Sequence, residues 1–344
     1  MKTLISDKIG EDAYRYLSSF TDLNNSETLV ISTTNSFNII NATAKFNTIV
    51  NFTKVNNLRY INRFFIDVNS KLEFDGLYIG LAETIAGRQQ RKRKKYPRII
   101  AKIIFIFEFI FLRVFPKVSG LKKIYFFVTR GRNRLISKAE LLGRLISCGF
   151  SIVEFKTINN KLYFIVKKTG LPIENQKPSY GLLYTMPRVG KNGKMIGVYK
   201  FRTMHPYSEF LHSYILEKNG YAASGKPADD FRLTPWGKFL RKYWLDELPQ
   251  LLNVIKGDLK LVGIRPVGLR YLQDIPEDLR ELRAKHKPGC IPPYVAFNKS
   301  STVASVLDAE REYLIKKNKN PYFTDTICFF KAIWNILIKK KRSA

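Results

Sequence analysis

Thr234-Pro-Trp-Gly-Lys-Phe-Leu-Arg241-Lys-Tyr-Trp-Leu-Asp246-Glu247-Leu-Pro-Gln-Leu-Leu-Asn-Val-Ile-Lys-Gly257 sets two adjacent carboxylates between two helix signals. Thr234 can cap free N–H groups and Pro235 has the φ that suits a first turn, so a helix is predicted from there to about Tyr243. Within it Lys238, Arg241 and Lys242 share one face, while Trp236, Phe239, Leu240 and Tyr243 supply apolar contacts around the other. Leu248, Leu251, Leu252 and Ile255 recur at i, i+3, i+4, i+7 and predict a second helix, stopped in left-handed conformation by Gly257. Pro249 is tolerated only in a first turn, so this helix starts near Asp246. Both carboxylates then lie at a helix N-terminus, where the dipole favours their ionised forms.

An ionised aspartate so placed can attack phosphorus or hold a divalent metal, and the basic face beside it can neutralise phosphate oxygens. A simple N-cap aspartate followed by a first-turn glutamate has the same spacing. Spacing alone leaves the two readings open.

Six stretches in fixed order carry a resemblance: Arg188-Val-Gly-Lys-Asn-Gly-Lys194, Tyr199-Lys-Phe-Arg-Thr-Met204, Leu240-Arg241, Leu245-Asp-Glu-Leu-Pro-Gln250, Asn253-Val-Ile-Lys-Gly-Asp258 and Leu261-Val-Gly-Ile-Arg-Pro266. Residues 178–298 resemble the catalytic domain of bacterial sugar transferases, the monotopic phosphoglycosyl transferases that load undecaprenyl phosphate. The resemblance implies that Asp246 is the nucleophile on the β-phosphorus of a UDP-sugar, that UMP leaves, and that polyprenyl phosphate then takes the phosphosugar from the aspartate. It implies Glu247 as the partner carboxylate, with Asp246 and Glu247 holding Mg2+. Arg241, Arg265, Lys200, Arg202 and Arg188 fall where the family binds substrate phosphates, and arginine suits paired oxygens best. Three departures touch the sugar and acceptor contacts more than the chemistry. Ile264 replaces a proline, Lys287-Pro-Gly289 replaces an arginine version, and Cys290-Ile-Pro-Pro-Tyr294 stands where a Gly-Trp stretch is usual.

A formal charge of +31 over 344 residues demands a polyanionic partner, either nucleic acid or an anionic membrane. The basic residues concentrate beside an apolar segment and no nucleic-acid motif accompanies them, which favours anionic lipids. Cys148, Cys290 and Cys328 have no metal-site spacing and imply no disulfide framework. Three histidines, His205, His212 and His286, argue against a histidine-based zinc site.

Met1 to Asp22 lacks the apolar core of a signal peptide. The membrane candidate is internal: Arg88-Gln-Gln-Arg-Lys-Arg-Lys-Lys-Tyr-Pro-Arg98 precedes an apolar run of about 17 residues, Ile99 to Phe115, which includes Phe107 and Phe111 and ends at Pro116. Lys102, Glu108 and Arg113 inside the run make a simple span costly. It resembles the family's device of a helix that enters one leaflet, bends at a proline and returns. The alternative is a buried globular helix beside a solvated charge run. Anionic lipids would attract the basic run at roughly 1 kcal/mol per residue. At the other end, Phe329-Phe330, Ala332-Ile333-Trp334 and Ile336-Leu337-Ile338 precede Lys339-Lys-Lys-Arg342, a basic amphipathic tail suited equally to headgroups or to packing on the catalytic domain.

Ahead of and after the insertion, strands are predicted at Thr28 to Thr33, Phe46 to Phe52, Leu77 to Leu81, Phe150 to Lys156 and Leu162 to Lys168, with helices at Leu58 to Leu72 and Ser137 to Ser147. Their order resembles the C-terminal half of class I methyltransferases, without a glycine-rich loop after an early strand, so a cofactor pocket is not expected. The expected fold class is α/β. A truncated Rossmann-like, methyltransferase-like domain occupies 1–170, interrupted by a membrane-associated insertion at about 88–120. A membrane-associated α/β sugar transferase domain occupies 178–344, with strands around Gly181 to Arg188 and Met195 to Phe201, and 176–180 links the two. Expected partners are a UDP-sugar, undecaprenyl phosphate and anionic lipids at the cytoplasmic face of a bacterial inner membrane, with no nucleic acid and room for a homodimer.

Overall fold

The computed structural model describes residues 2–174, 181–220 and 227–341; the 176–180 linker and Arg342 lie outside the described residues. The chain forms two compact units, Met1–Tyr180 with His205–Tyr214, and Gly181–Met204 with Ile215–Ala344.

In the first unit the elements run α1 (Lys2–Ile9), α2 (Glu11–Ser18), β1 (Thr28–Ile31), α3 (Phe37–Ile40), β2 (Phe46–Lys54), α4 (Ile61–Lys71), β3 (Leu72–Ala82), α5 (Ile85–Lys95), α6 (Arg98–Phe109), α7 (Leu121–Thr129), α8 (Lys138–Ser147), β4 (Phe150–Ile158) and β5 (Lys161–Lys168). The sheet order is β1-β2-β3-β5-β4; β1, β2 and β3 are parallel, and β5 is antiparallel to both neighbours. Unbroken apolar runs such as Ile49-Val50 and Leu162 to Val166 are buried because both faces of the sheet are covered. Ile5, Ile9, Ala13 and Leu17 of α1 and α2 pack on Ile79, Leu81, Tyr163 and Ile165. On the opposite strand parity, Phe65 of α4 meets Tyr78 edge-on at 5.9 Å, and Tyr78 meets Phe164 at 5.5 Å. Two expectations shift here. β1 is half-buried and ends at Ile31, and β3 starts at Leu72, running through Asp75, whose φ of 64° bends the strand beside an irregular register with β2.

The segment Ile99 to Phe115 is not one helix. α6 ends at Phe109, a π turn covers Ile110–Val114, and a 3-10 turn, Phe115–Lys117, contains Pro116. At about 1.5 Å per residue the 12 residues of α6 reach roughly 18 Å, against a hydrocarbon core of about 30 Å. Among the described residues no helix is long and apolar enough to cross a membrane. Two of the three charges inside the run have partners within the unit, Glu108 meeting Arg88 and Lys92 and Arg113 turning inward to Glu140 and the Leu135 carbonyl, whereas Lys102 is exposed on α6. Ile99 and Phe107 remain 75% and 69% exposed, whereas Phe111 packs edge-on against Phe115 and Tyr125.

Residues 205–214 also belong to this unit, which the sequence pattern does not reveal. Tyr207 is buried, its hydroxyl accepting from Asn62 Nδ2 at 2.7 Å and from Arg144 Nη1 at 3.2 Å. Gly143 is required there, since a Cβ would stand 2.2 Å from the Tyr207 carbonyl oxygen.

The second unit contains β6 (Leu183–Val189) paired antiparallel with β7 (Met195–Phe201), α9 (His212–Asn219, its first residues in the first unit), α10 (Pro235–Lys242), α11 (Gln250–Ile255), β8 (Lys260–Val262), α12 (Leu269–Gln273), α13 (Glu277–Ala284), β9 (Gly289–Ile291), α14 (Pro293–Ala296), α15 (Val303–Lys319) and α16 (Phe323–Leu337). β8 and β9 run parallel, and Gly289 permits their close approach because a Cβ would lie 2.2 Å from the Gly263 nitrogen. The core gathers Val262, Ile264, Leu279, Tyr313, Leu314 and Ala332.

In the first unit Glu140 is buried and accepts from Arg113 and from Arg144, which bonds Oε1 through Nε and Nη2. These arginines hold its carboxyl well below the usual range against the effect of burial. Glu140→Ala leaves two buried guanidiniums uncompensated and should cost about 3–5 kcal/mol of stability, read as a lower urea midpoint for the full chain. An unchanged midpoint would show that the cluster contributes nothing to the fold.

Candidate active site

Thr234 caps α10 as expected, its hydroxyl accepting from the Gly237 N–H at 2.9 Å. Gly237 lets the helix lie on the Thr203 backbone, where a Cβ would come 2.1 Å from the carbonyl oxygen. The apolar face of α10 is not buried: Trp236, Phe239 and Tyr243 are 45%, 56% and 40% exposed. The next helix also differs from expectation. Trp244 takes a left-handed φ of 62°, Leu245–Glu247 form a 3-10 turn, and α11 begins only at Gln250. Pro249 has no N–H to donate, so the turn closes through i→i+3 bonds, Glu247 to Trp244 and Leu248 to Leu245. Asp246 therefore sits inside a tight turn rather than capping a helix. Leu248, Leu251, Leu252 and Ile255 form an outward face, Ile255 being 83% exposed. Gly257 stops α11 at φ 76°, as its position implies.

What fixes the dyad is Asn253, fully buried on α11. Its Nδ2 donates to the Gly197 carbonyl at 2.7 Å and its Oδ1 accepts from the Tyr199 N–H at 3.0 Å, clamping α11 to β7. Lys200, next on β7, meets Glu247 Oε1 at 2.6 Å, and Gln250 Nε2 donates to Glu247 Oε2 at 3.1 Å. Both oxygens of Glu247 are thus engaged by the fold. Asp246 is 9% exposed, and burial first, then Glu247, raise its pKa above the ordinary value, opposed by Lys200 and Arg241. Arg241 uses Nε on the Thr203 hydroxyl at 3.0 Å; burial draws its pKa down while Asp246 and Asp230 hold it up.

A cavity of about 630 Å3 opens beside the dyad, lined in part by Arg188, Lys200, Glu247, Gln250 and Arg265. Arg188 and Arg265 face it, and among the described residues neither guanidinium is hydrogen-bonded to a carboxylate, although the Arg265 backbone N–H is. Burial and then the nearby Arg265 charge lower the pKa of Arg188. Arg265 is held from behind: its N–H donates to Glu310 at 3.0 Å, and Arg283 pairs with Glu310 and donates to the Arg265 carbonyl at 2.8 Å. That buried Arg283–Glu310 pair carried no signal in the motif reading, nor did the Asp230–Arg232 pair before α10. Asp246 and Arg241 are not among the residues lining the cavity; Glu247 is the dyad member that faces it. Arg202 is not there either, its Nε donating to the Gly181 carbonyl and its guanidinium lying 5.3 Å from the Tyr184 ring centre. Cys290 lines the cavity, but burial and Glu247 push its thiol up to about 12, so it is no thiolate at neutral pH.

No group of three or more His, Cys, Asp or Glu side chains that could hold a metal occurs among the described residues. Two adjacent carboxylates fit Mg2+, which takes one or two protein carboxylates and completes its shell with water and substrate phosphate, and they do not fit a structural zinc.

Carbon-13 titration of the Asp246 carboxyl gives a direct check. Lys200→Met should move its pKa further up and Glu247→Gln should bring it down, since the first removes an opposing cation and the second a like charge. Equal shifts in one direction would contradict the arrangement.

The model for the bacterial sugar transferase family matches residues 147–339, more than half of the chain, beginning at the end of α8 and thus earlier than the motifs alone reach. An uncharacterized sugar transferase of Haemophilus influenzae is 37% identical over 134 residues, 38% of this chain and 26% of that protein. Galactosyl transferase CpsE of Streptococcus agalactiae is 45% identical over 108 residues, 31% of this chain and 24% of that protein. The undecaprenyl-phosphate galactose phosphotransferase of Salmonella typhimurium is 39% identical over 112 residues, 31% of this chain and 23% of that protein. The matched stretch spans about a quarter of the length of these three relatives. With its dyad, its clamp and its arginine-lined cavity in the matched region, the chain belongs to the bacterial sugar transferase family.

Proposed function

We propose that this protein transfers a sugar 1-phosphate from a UDP-sugar to undecaprenyl phosphate, releasing UMP, as the first step of a membrane-linked polysaccharide. The observation that carries this reading is a pair of carboxylates beside a cavity whose walls bear Arg188, Lys200 and Arg265, with neither arginine's guanidinium bonded to an acid among the described residues. Arg188 and Arg265 bind and orient the diphosphate. A carboxylate oxygen of Asp246 forms a bond to the β-phosphorus, the bond from that phosphorus to the bridging oxygen breaks, and UMP departs with the electron pair. An oxygen of polyprenyl phosphate then attacks the same phosphorus and the aspartyl oxygen leaves as carboxylate. Mg2+, held by Asp246 and Glu247, would neutralise charge on the diphosphate. The cavity-facing position of Glu247 favours one second reading, in which Glu247 is the attacking group and Asp246 supports it.

The strand order of the first unit, with one antiparallel strand second from the edge, supports reading it as a truncated methyltransferase-like scaffold. The exposed Ile99 and Phe107, beside the basic run of α5, support a surface that enters one leaflet of an anionic membrane from the cytoplasmic side.

UMP release from a panel of UDP-sugars in undecaprenyl phosphate vesicles tests the activity. Asp246→Asn should abolish it, since an amide does not form the acyl phosphate, and Arg241→Lys should lose at least roughly tenfold because an ammonium does not reproduce the guanidinium fork. Release of UMP by Asp246→Asn at the parental rate would refute the nucleophile. In cells, cysteines placed at Gln90 and Lys122 should both resist an external thiol reagent, because the basic flanks oppose translocation. Labelling at 122 without labelling at 90 would mean that the segment crosses.

A further inference from the structure

Two side-chain amides lie one turn apart on the buried face of α11. Asn253 uses both ends of its amide on the β7 backbone, at 2.7 Å and 3.0 Å. Gln250, 2% exposed at the first position of the helix, uses only one. Its bonded end is Nε2, because Glu247, paired with Lys200, presents carboxylate oxygens that only accept. Its Oε1 is buried and has no hydrogen-bond partner among the described residues. An acceptor left so in a protein interior is costly, and on a cavity wall it marks a contact that a ligand completes. The same wall holds an orphan of the opposite kind: Trp244 Nε1, a donor only, is buried without a partner among the described residues, on a residue held at a left-handed φ of 62°. Glu247 and Glu310, the acids of that wall, already accept from Lys200, Gln250 and Arg283.

Phosphate oxygens suit the donors of the cavity, the Trp244 indole and the guanidiniums of Arg188 and Arg265. They do not suit Gln250 Oε1, since an ionised diphosphate has no hydrogen to give it. The donors on a UDP-sugar are the hydroxyl or amide N–H groups of the sugar, the ribose hydroxyls and the uracil N–H. Nearest to the β-phosphorus among them is the group at the sugar's 2-position, on the carbon next to the anomeric one. Gln250 is just as close to the chemistry, because the carbon that bears Oε1 also bears the nitrogen bonded to Glu247. We propose that Gln250 Oε1 accepts a hydrogen bond from the hydroxyl or amide N–H at the 2-position of the donor sugar. Gln250 then admits hexoses and 2-acetamidohexoses alike and rejects sugars with no donor at that position. Asn253 keeps the acceptor in place by fixing α11 to β7. The inference rests on the proposed transfer from a UDP-sugar and names the class of sugar that this site takes.

The test changes the substrate and the side chain together. Full-length protein is assayed for UMP release with a UDP-sugar that it turns over and with an analogue lacking the donor. The analogue is the 2-deoxy-2-fluoro sugar, or the 2-O-acetyl sugar where the parent group is acetamido. Native protein should lose at least roughly tenfold in kcat/KM on the analogue. Gln250→Leu removes the acceptor; its activity should fall on both donors, and its preference between them should shrink to within about twofold. Where that variant turns over too slowly to assay, the same ratio is read from binding of the two nucleotides to Asp246→Asn, with and without the Gln250 substitution. Equal use of both donors by native protein would overturn the inference and leave the transfer reaction standing. So would a preference that survives Gln250→Leu, which would give the 2-position to another residue. No UMP from any UDP-sugar would instead refute the transfer itself, and the role of Gln250 with it.

Discussion

The catalytic unit depends on the placement of Lys200 against Glu247, with Asn253 as the clamp that fixes it. Burial, and then the charge of the adjacent Glu247, raise the pKa of Asp246. Lys200, 2.6 Å from Glu247 and on a strand tied to α11 by two hydrogen bonds between the Asn253 side chain and the β7 backbone, opposes that rise at Asp246. The α10 helix adds Arg241 from the other side, positioned by the Thr203 hydroxyl. On the cavity wall, neither the Arg188 nor the Arg265 guanidinium is bonded to a carboxylate among the described residues.

Much of this was legible in the sequence because it is local. The Thr234 cap, the Gly257 stop, the β6–β7 hairpin and Ser137 capping α8 each follow from residues a few positions apart. Periodicity located α11 but not the surroundings of its apolar face: Leu248, Leu251, Leu252 and Ile255 have helical spacing, and spacing does not say whether a face meets a core or turns outward. Pro249 also shortened α11 by tightening the turn before it. Long-range partnerships left no pattern to read. Arg283 with Glu310, and Tyr207 with Asn62 and Arg144, join residues that are tens of positions apart. Motif order places Arg202 with the phosphate-binding set, and in the structure its Nε donates to the Gly181 carbonyl.

Charge and exposed apolar surface recur in both units. In the first, Glu108 and Arg113 are neutralised internally, and the exposed side of α6 carries isoleucines and Phe107 together with Lys102, beside a run of lysines and arginines. In the second, α10, α11 and α16 each turn apolar residues outward next to basic ones. Such surfaces suit the proposed lipid-borne phosphate acceptor, since binding to a membrane would bring protein and acceptor together in two dimensions.

The central claim is that Asp246 becomes covalently phosphorylated by the sugar donor. Full-length protein incubated with its UDP-sugar and Mg2+ but without polyprenyl phosphate, quenched in acid and mapped by peptide mass spectrometry, tests it directly. A phosphosugar on Asp246, formed together with stoichiometric UMP, is the predicted result. An adduct on Glu247, or UMP appearing only when the lipid acceptor is present and with no protein adduct, would contradict it.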